Sequence, residues 1–137
     1  WVASIDKFQH WIYTTEHTAQ QRKEKWLTIS SELGNQILDW EGNENVHANL
    51  WQKQLHLYEV PFYYVEYGMA QLGAIAMWRS YKQLGEQGLD NYMDALKLGY
   101  TKTIGEIYET AGIKFDFSAS YVKELADFIK DELEKLS

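Results

Sequence analysis

The sequence predicts an all-α fold, a bundle of about six or seven helices. Apolar residues recur every three or four positions through most of the chain. Two capping boxes and several well-placed glycines mark helix ends, and no stretch alternates apolar and polar residues over strand length. No internal repeat or low-complexity linker interrupts the 137 residues, and a 45% hydrophobic content is enough for a compact core.

The elements follow in order. From Val2 to about Thr14, Ile5, Phe8, Trp11 and Ile12 share one face of a helix, with Phe8 and Trp11 turned inward. Thr18-Ala19-Gln20-Gln21 is a Thr-x-x-Gln capping box, which opens a helix to Leu33 that stops at Gly34-Asn35. Glu41-Gly42-Asn43 reads as a turn. A third helix is expected from about Asn45 through Trp51 and Leu55 toward Tyr58.

Pro61 lacks an amide and disfavours α geometry at Val60, so a new helix is expected to start near Pro61 and run to about Leu84. Its small residues, Gly68, Ala70, Gly73, Ala74 and Ala76, would let neighbouring helices approach closely, and Gly85 and Gly88 would end it. Glu66, Gln71 and the tyrosines make residues 60–78 a core helix rather than a membrane span. Asp90 is expected to cap a helix through Leu98 that stops at Gly99. Thr103-Ile104-Gly105-Glu106 is the second capping box, opening a helix to about Ala111. Ser118 caps the last helix, with Val122, Leu125, Ile129, Leu133 and Leu136 as its apolar stripe and Asp127, Lys130, Asp131, Glu134 and Lys135 on the solvated face.

Composition narrows the function. Thirteen basic against twenty acidic residues give a formal charge of -7 with no basic cluster, which argues against nucleic acid and anionic membrane surfaces as partners. Cysteine is absent, so a disulfide framework, a thiolate metal site and a thiol nucleophile are excluded, and a reducing cytoplasm is the expected compartment. The chain opens at Trp1 with neither a methionine nor a signal-peptide pattern, and is expected to be a piece of a longer polypeptide.

Residues 51–78 concentrate the polar candidates: His56, Tyr58, Tyr63, Tyr64 and Tyr67, around the only proline. A buried phenol needs a hydrogen-bond partner or costs about 1 to 3 kcal/mol, so such a cluster points to a polar site in an apolar wall. On a helix from Pro61, Tyr64 and Tyr67 lie three apart and Tyr63 and Tyr67 four apart, and each pair shares a face. His10, between Phe8 and Trp11, reads as a satisfied structural histidine; His17 and His47, beside helix starts, read as surface or capping residues. The six tryptophans read as core. Glu66, a carboxylate among tyrosines, should be paired or face a cleft, with a substrate N-terminus or an arginine as natural partner.

The run His56 through Pro61-Phe62-Tyr63-Tyr64-Val65-Glu66-Tyr67-Gly68 and on to Ala70-Gln71-Leu72-Gly73-Ala74 resembles the C-terminal part of the oligoendopeptidase F-like zinc metallopeptidases, the M3 family. Ile5-Asp6-Lys7-Phe8-Gln9-His10-Trp11 and Gly112-Ile113-Lys114-Phe115-Asp116-Phe117-Ser118 resemble the same family and stand in the expected order, so the resemblance spans essentially the whole chain. It implies that residues 1–137 are the C-terminal helical segment of the catalytic domain, one lobe of a larger helical zinc peptidase that hydrolyses internal bonds of short peptides.

The family's zinc centre uses a His-Glu-x-x-His helix, which sets two imidazoles and a general-base glutamate on one face. No such motif occurs here, and none of the four histidines is followed directly by glutamate. His56 and Glu59 are three apart, a spacing too common to assign a metal. The resemblance therefore implies that zinc is bound outside this chain and that the chain alone is inactive. It also implies the other half of the mechanism: His56, Tyr64 and Tyr67 match the family's downstream histidine and tyrosines, whose N–H and O–H groups stabilise the oxyanion of the scissile carbonyl. Motif spacing varies, so the donor can be Tyr63 or Tyr64; Tyr63, Tyr58 and Glu66 are placed as substrate contacts. The rest of the peptidase chain and short peptides are the implied partners. Two rival readings are a non-catalytic helical peptide- or protein-binding module, and a degenerate family member that binds peptides without cutting them.

Overall fold

A computed structural model describes residues 1–35 and 37–136, and it is all-helical. Among the described residues it contains eight α-helices and one short 3-10 helix: α1 (Val2–Thr14), α2 (Ala19–Leu33), α3 (Glu44–Asn49), the 3-10 helix (Leu50–Lys53), α4 (His56–Glu59), α5 (Val65–Leu84), α6 (Glu86–Lys97), α7 (Ile104–Thr110) and α8 (Ala119–Glu134). They form two compact units, Trp1–Gly68 and Met69–Ser137. No described helix is long and apolar enough to cross a membrane.

In the first unit, both sides of the Thr18 capping box form: its hydroxyl accepts from the Gln21 amide, and the Gln21 side chain accepts from the Thr18 amide at 2.8 Å. The core is aromatic. Ile5 and Phe8 of α1 meet Trp26 and Ile29 of α2, with Trp51 and Leu57 completing a buried cluster. The Phe8 ring stands 5.4 Å from Trp26 and 5.1 Å from Trp51. Trp11, Ile12, Leu50 and Tyr64 pack against this cluster from its edge.

The expected third helix breaks into three. α3 tightens into the 3-10 helix, Gln54 turns to an extended conformation (φ -86, ψ 93), and α4 is a single turn. The next helix starts at Val65, not near Pro61, because Phe62 takes a left-handed φ of 59 that no right-handed helix accommodates. Its ring is held between His10 at 4.8 Å and Tyr13 at 5.4 Å, contacts absent from any local reading of the chain.

The second unit is built on small residues. Ala76, Tyr121 and Leu125 form its core, with Leu72, Ile75 and Ile113 against them. α5 is not the buried helix the sequence suggests: within it only Gly73, Ala76 and Ser80 are buried. α6 starts at Glu86, with Gly85 (φ 59) as the turn, so Asp90 is interior and not a cap. Gly88 ends nothing; a Cβ there would stand 3.0 Å from the Ser80 carbonyl oxygen, and its role is close approach of α6 to α5. The Thr103 capping box forms on both sides.

On α8 the buried face is Tyr121, Leu125 and Glu132, while Val122, Leu133 and Leu136 of the expected stripe are exposed. A glutamate can take that face because Lys82 pairs with it at 2.9 Å and Lys135 also donates to it. Those two bonds, Lys135 first and Lys82 second, hold the Glu132 carboxyl below its ordinary pKa.

Phe8 is completely buried at the centre of the first unit's aromatic cluster. Phe8→Ala is expected to destabilise that unit by about 3 to 5 kcal/mol in urea unfolding followed by tryptophan fluorescence.

Candidate active site

Three short pieces of backbone bring the candidate residues together within the first unit. The break at Gln54 allows His56 to open α4. Val60, Pro61 and Phe62 then reverse the chain, with the Tyr63 amide donating to the Val60 carbonyl at 3.2 Å. The carbonyls of Tyr63 and Tyr64 accept from the Glu66 and Tyr67 amides at 3.0 and 3.3 Å, so both tyrosines sit in the turn that leads into α5. Only Tyr67 belongs to the helix. The Tyr63–Tyr67 and Tyr64–Tyr67 pairs expected from helical spacing do form, but through this turn.

The result is a four-ring cluster. The His56 ring lies parallel to Tyr63 (6.0 Å, 9°), tilted to Tyr64 (5.0 Å) and edge-on to Tyr67 (5.6 Å). Tyr67 in turn meets Tyr63 at 5.7 Å and Tyr64 at 5.2 Å. Tyr64 is half-buried against the core, whereas Tyr63 and Tyr67 remain 42% and 47% exposed, open to a ligand. His56 Nε2 stands 3.4 Å from the Tyr67 hydroxyl, a long contact that commits neither group to the other. On the other side of the ring, the Gln54 side-chain nitrogen is 2.7 Å from Nδ1, and the Trp1 indole donates to Gln54 Oε1 at 3.0 Å.

The other predicted residues lie elsewhere or differ in character. Tyr58 stacks on Trp51 at 6.3 Å and lines a separate hollow with Tyr13, His17 and Arg22. Burial raises the Tyr58 phenol pKa against the opposing charge of Arg22. Glu66 is exposed in the first turn of α5, where a carboxylate complements the helix N-terminus, so it needs no buried partner. The charges of Tyr67 and, next, Glu66 raise the Tyr63 phenol pKa.

Among the remaining histidines, His10 is exposed, not a core residue: it reaches Asp6 at 3.6 Å and Phe62 by ring contact. His17 Nδ1 lies 2.6 Å from the Thr15 carbonyl oxygen. His47 is structural, stacked on Trp40 at 4.3 Å with Nε2 2.8 Å from the Ser30 hydroxyl, and its own carbonyl accepts from Trp26. Among the described residues, no group of three or more His, Asp or Glu side chains could hold a metal ion.

Sequence reasoning missed Gln54 and Trp1. On a continuous helix, positions 54 and 56 point apart, and the only signal was a glutamine two residues before the candidate histidine.

What the cluster can do is donate hydrogen bonds from a phenol and an imidazole to a shared oxygen, beside half-exposed rings that can flank an extended chain. The model of a protein family described as Peptidase family M3 matches residues 1–127. No curated protein and no solved structure matches the chain.

The charge coupling in this cluster is measurable. Tyr67→Phe is expected to bring the Tyr63 phenol down toward the ordinary tyrosine value of about 10, read by pH titration of the 13Cζ-labelled tyrosines; an unmoved Tyr63 would separate the two rings.

Proposed function

The chain belongs to peptidase family M3, and from that premise we propose that it is the C-terminal helical segment of a cytoplasmic zinc oligoendopeptidase of the oligoendopeptidase F type. The whole enzyme would hydrolyse internal bonds of short peptides, and this segment would form one wall of the substrate cleft. The supporting observation is the open pair of donors: His56 Nε2 and the Tyr67 hydroxyl face each other at 3.4 Å beside exposed rings.

The residues described here do not suit a metal, since they include no adequate ligand group. In this reading zinc, its ligands and the general base belong to the rest of the peptidase chain. The chain's own part is to receive the substrate carbonyl. As a peptide carbonyl becomes tetrahedral, negative charge gathers on its oxygen, and N–H and O–H groups already aimed there stabilise it without reorganising. His56 and Tyr67 are the catalytic donors in this reading, with Tyr64 the further candidate, packed tightly enough against the core to be held in place. Tyr63, in the same ring cluster, is a substrate contact or an alternative donor. Glu66, exposed one residue before Tyr67, suits a cationic substrate group such as a free N-terminus. Tyr58 has the weakest support, because its ring packs on Trp51 and not in the cluster.

The test is steady-state cleavage of a quenched fluorescent peptide by the longest natural polypeptide containing this segment. Tyr67→Phe removes one hydroxyl and little volume. The expected outcome is a kcat about 100-fold lower with KM little changed, the size of effect seen when one oxyanion donor is lost. An unimpaired variant would remove Tyr67 from the reaction, and a parent that binds peptide without cutting it would replace the peptidase reading with a peptide-binding one.

A further inference from the structure

We infer that Gln54 is a positioning residue that fixes the tautomer of His56, with Trp1 fixing Gln54 in turn. Three contacts join these side chains in one line: Trp1 Nε1 to Gln54 Oε1 at 3.0 Å, Gln54 Nε2 to His56 Nδ1 at 2.7 Å, and His56 Nε2 to the Tyr67 hydroxyl at 3.4 Å.

A carboxamide can be turned over, exchanging its oxygen and nitrogen, and a neutral imidazole can carry its proton on either nitrogen. Both freedoms end at Trp1. An indole N–H only donates, so the group 3.0 Å from it must be the Gln54 oxygen. That places the Gln54 NH2, which also only donates, 2.7 Å from Nδ1. Nδ1 must therefore be the acceptor, and the single proton of the neutral ring sits on Nε2. One donor-only group at the start of the line thus sets the proton position at its end.

Trp1 is itself held. Its ring makes an edge contact with Trp26 at 5.4 Å, and the Lys53 ammonium stands 4.6 Å over it. The donor that orients the amide is thus seated against the aromatic core of the unit, although nearly half of Trp1 itself remains exposed.

The consequence rests on the proposed function. The nitrogen on the Tyr67 side of the ring is the one that must present an N–H to a developing oxyanion, and the Nε2–H tautomer does so while the ring stays neutral. The opposite tautomer would offer that oxygen a lone pair.

Long-range 1H–15N correlation of the histidine rings, recorded well above the ordinary imidazole pKa of about 6.5, reads the proton position without reference to activity. His56 is assigned by the loss of its signals in His56→Gln. The expected result is an Nε2–H pattern in the natural protein. In Gln54→Glu the carboxylate accepts only, so it should draw the proton to Nδ1 and reverse the pattern. In the whole peptidase the same variant should lower kcat by about 100-fold with KM little moved, the loss of one donor. A natural protein with its proton on Nδ1, or a Gln54→Glu variant still protonated on Nε2, would overturn the inference.

If Gln54→Glu fails to fold, Trp1→Phe serves in its place. Removing the indole donor frees the amide to turn over, and a mixture of tautomers is expected; a pure Nε2–H pattern there would overturn the role of Trp1. The two proposals fail separately. An Nε2–H His56 in an enzyme indifferent to Tyr67→Phe keeps the tautomer and loses the oxyanion reading, whereas an Nδ1–H His56 in an enzyme crippled by Tyr67→Phe does the reverse.

Discussion

The packing of Phe8 between Trp26 and Trp51 is the contact on which the first unit depends. It joins α1, α2 and the 3-10 helix at one point. Each such ring pair contributes about 0.5 to 1.5 kcal/mol beyond the area it buries. Trp26 gives Trp1 its seat, Trp51 gives Tyr58 its stacking face, and Leu57, buried in the same cluster, offers its carbonyl to the Tyr13 hydroxyl. The candidate site is therefore not a loop laid over a scaffold. His56 and Tyr64 are one residue removed from, or in contact with, the core itself.

The helix ends written in local chemistry were legible in the sequence. Thr18 and Thr103 cap as their boxes require, Ser118 accepts from the Tyr121 amide, and Gly34 ends α2 by turning extended after its amide makes the last helical bond, to the Ser30 carbonyl. The ends decided by distant partners were not. Nothing near Phe62 in the chain announces that His10 and Tyr13 will hold its ring, and nothing near Glu132 announces Lys82. Gly88 looked like a terminator because glycine usually is one; its actual reason is a neighbouring helix whose backbone leaves no room for a Cβ.

The site divides in the same way. His56, Tyr63, Tyr64 and Tyr67 were visible as a cluster from composition and from the family resemblance, and the rings do meet. The geometry behind the meeting was not visible: helical periodicity paired the tyrosines correctly for the wrong reason, since a turn rather than a helix presents two of the three. Tyr58 shows the limit of proximity in sequence, for it lies two residues from His56 and faces another hollow. Gln54 shows the converse, invisible until the helix breaks and then in contact with the ring.

The left-handed Phe62 makes the candidate site depend on α1. A non-glycine residue in that conformation costs about 1 to 3 kcal/mol, and here the ring contacts to His10 and Tyr13 on α1 offset it. Without α1 the turn keeps its backbone hydrogen bonds but loses the two ring contacts that offset its strained residue. The geometry of the ring cluster is thus tied to the first helix of the chain: α1 contributes no ring to the cluster, yet it holds the turn from which Tyr63 and Tyr64 reach His56.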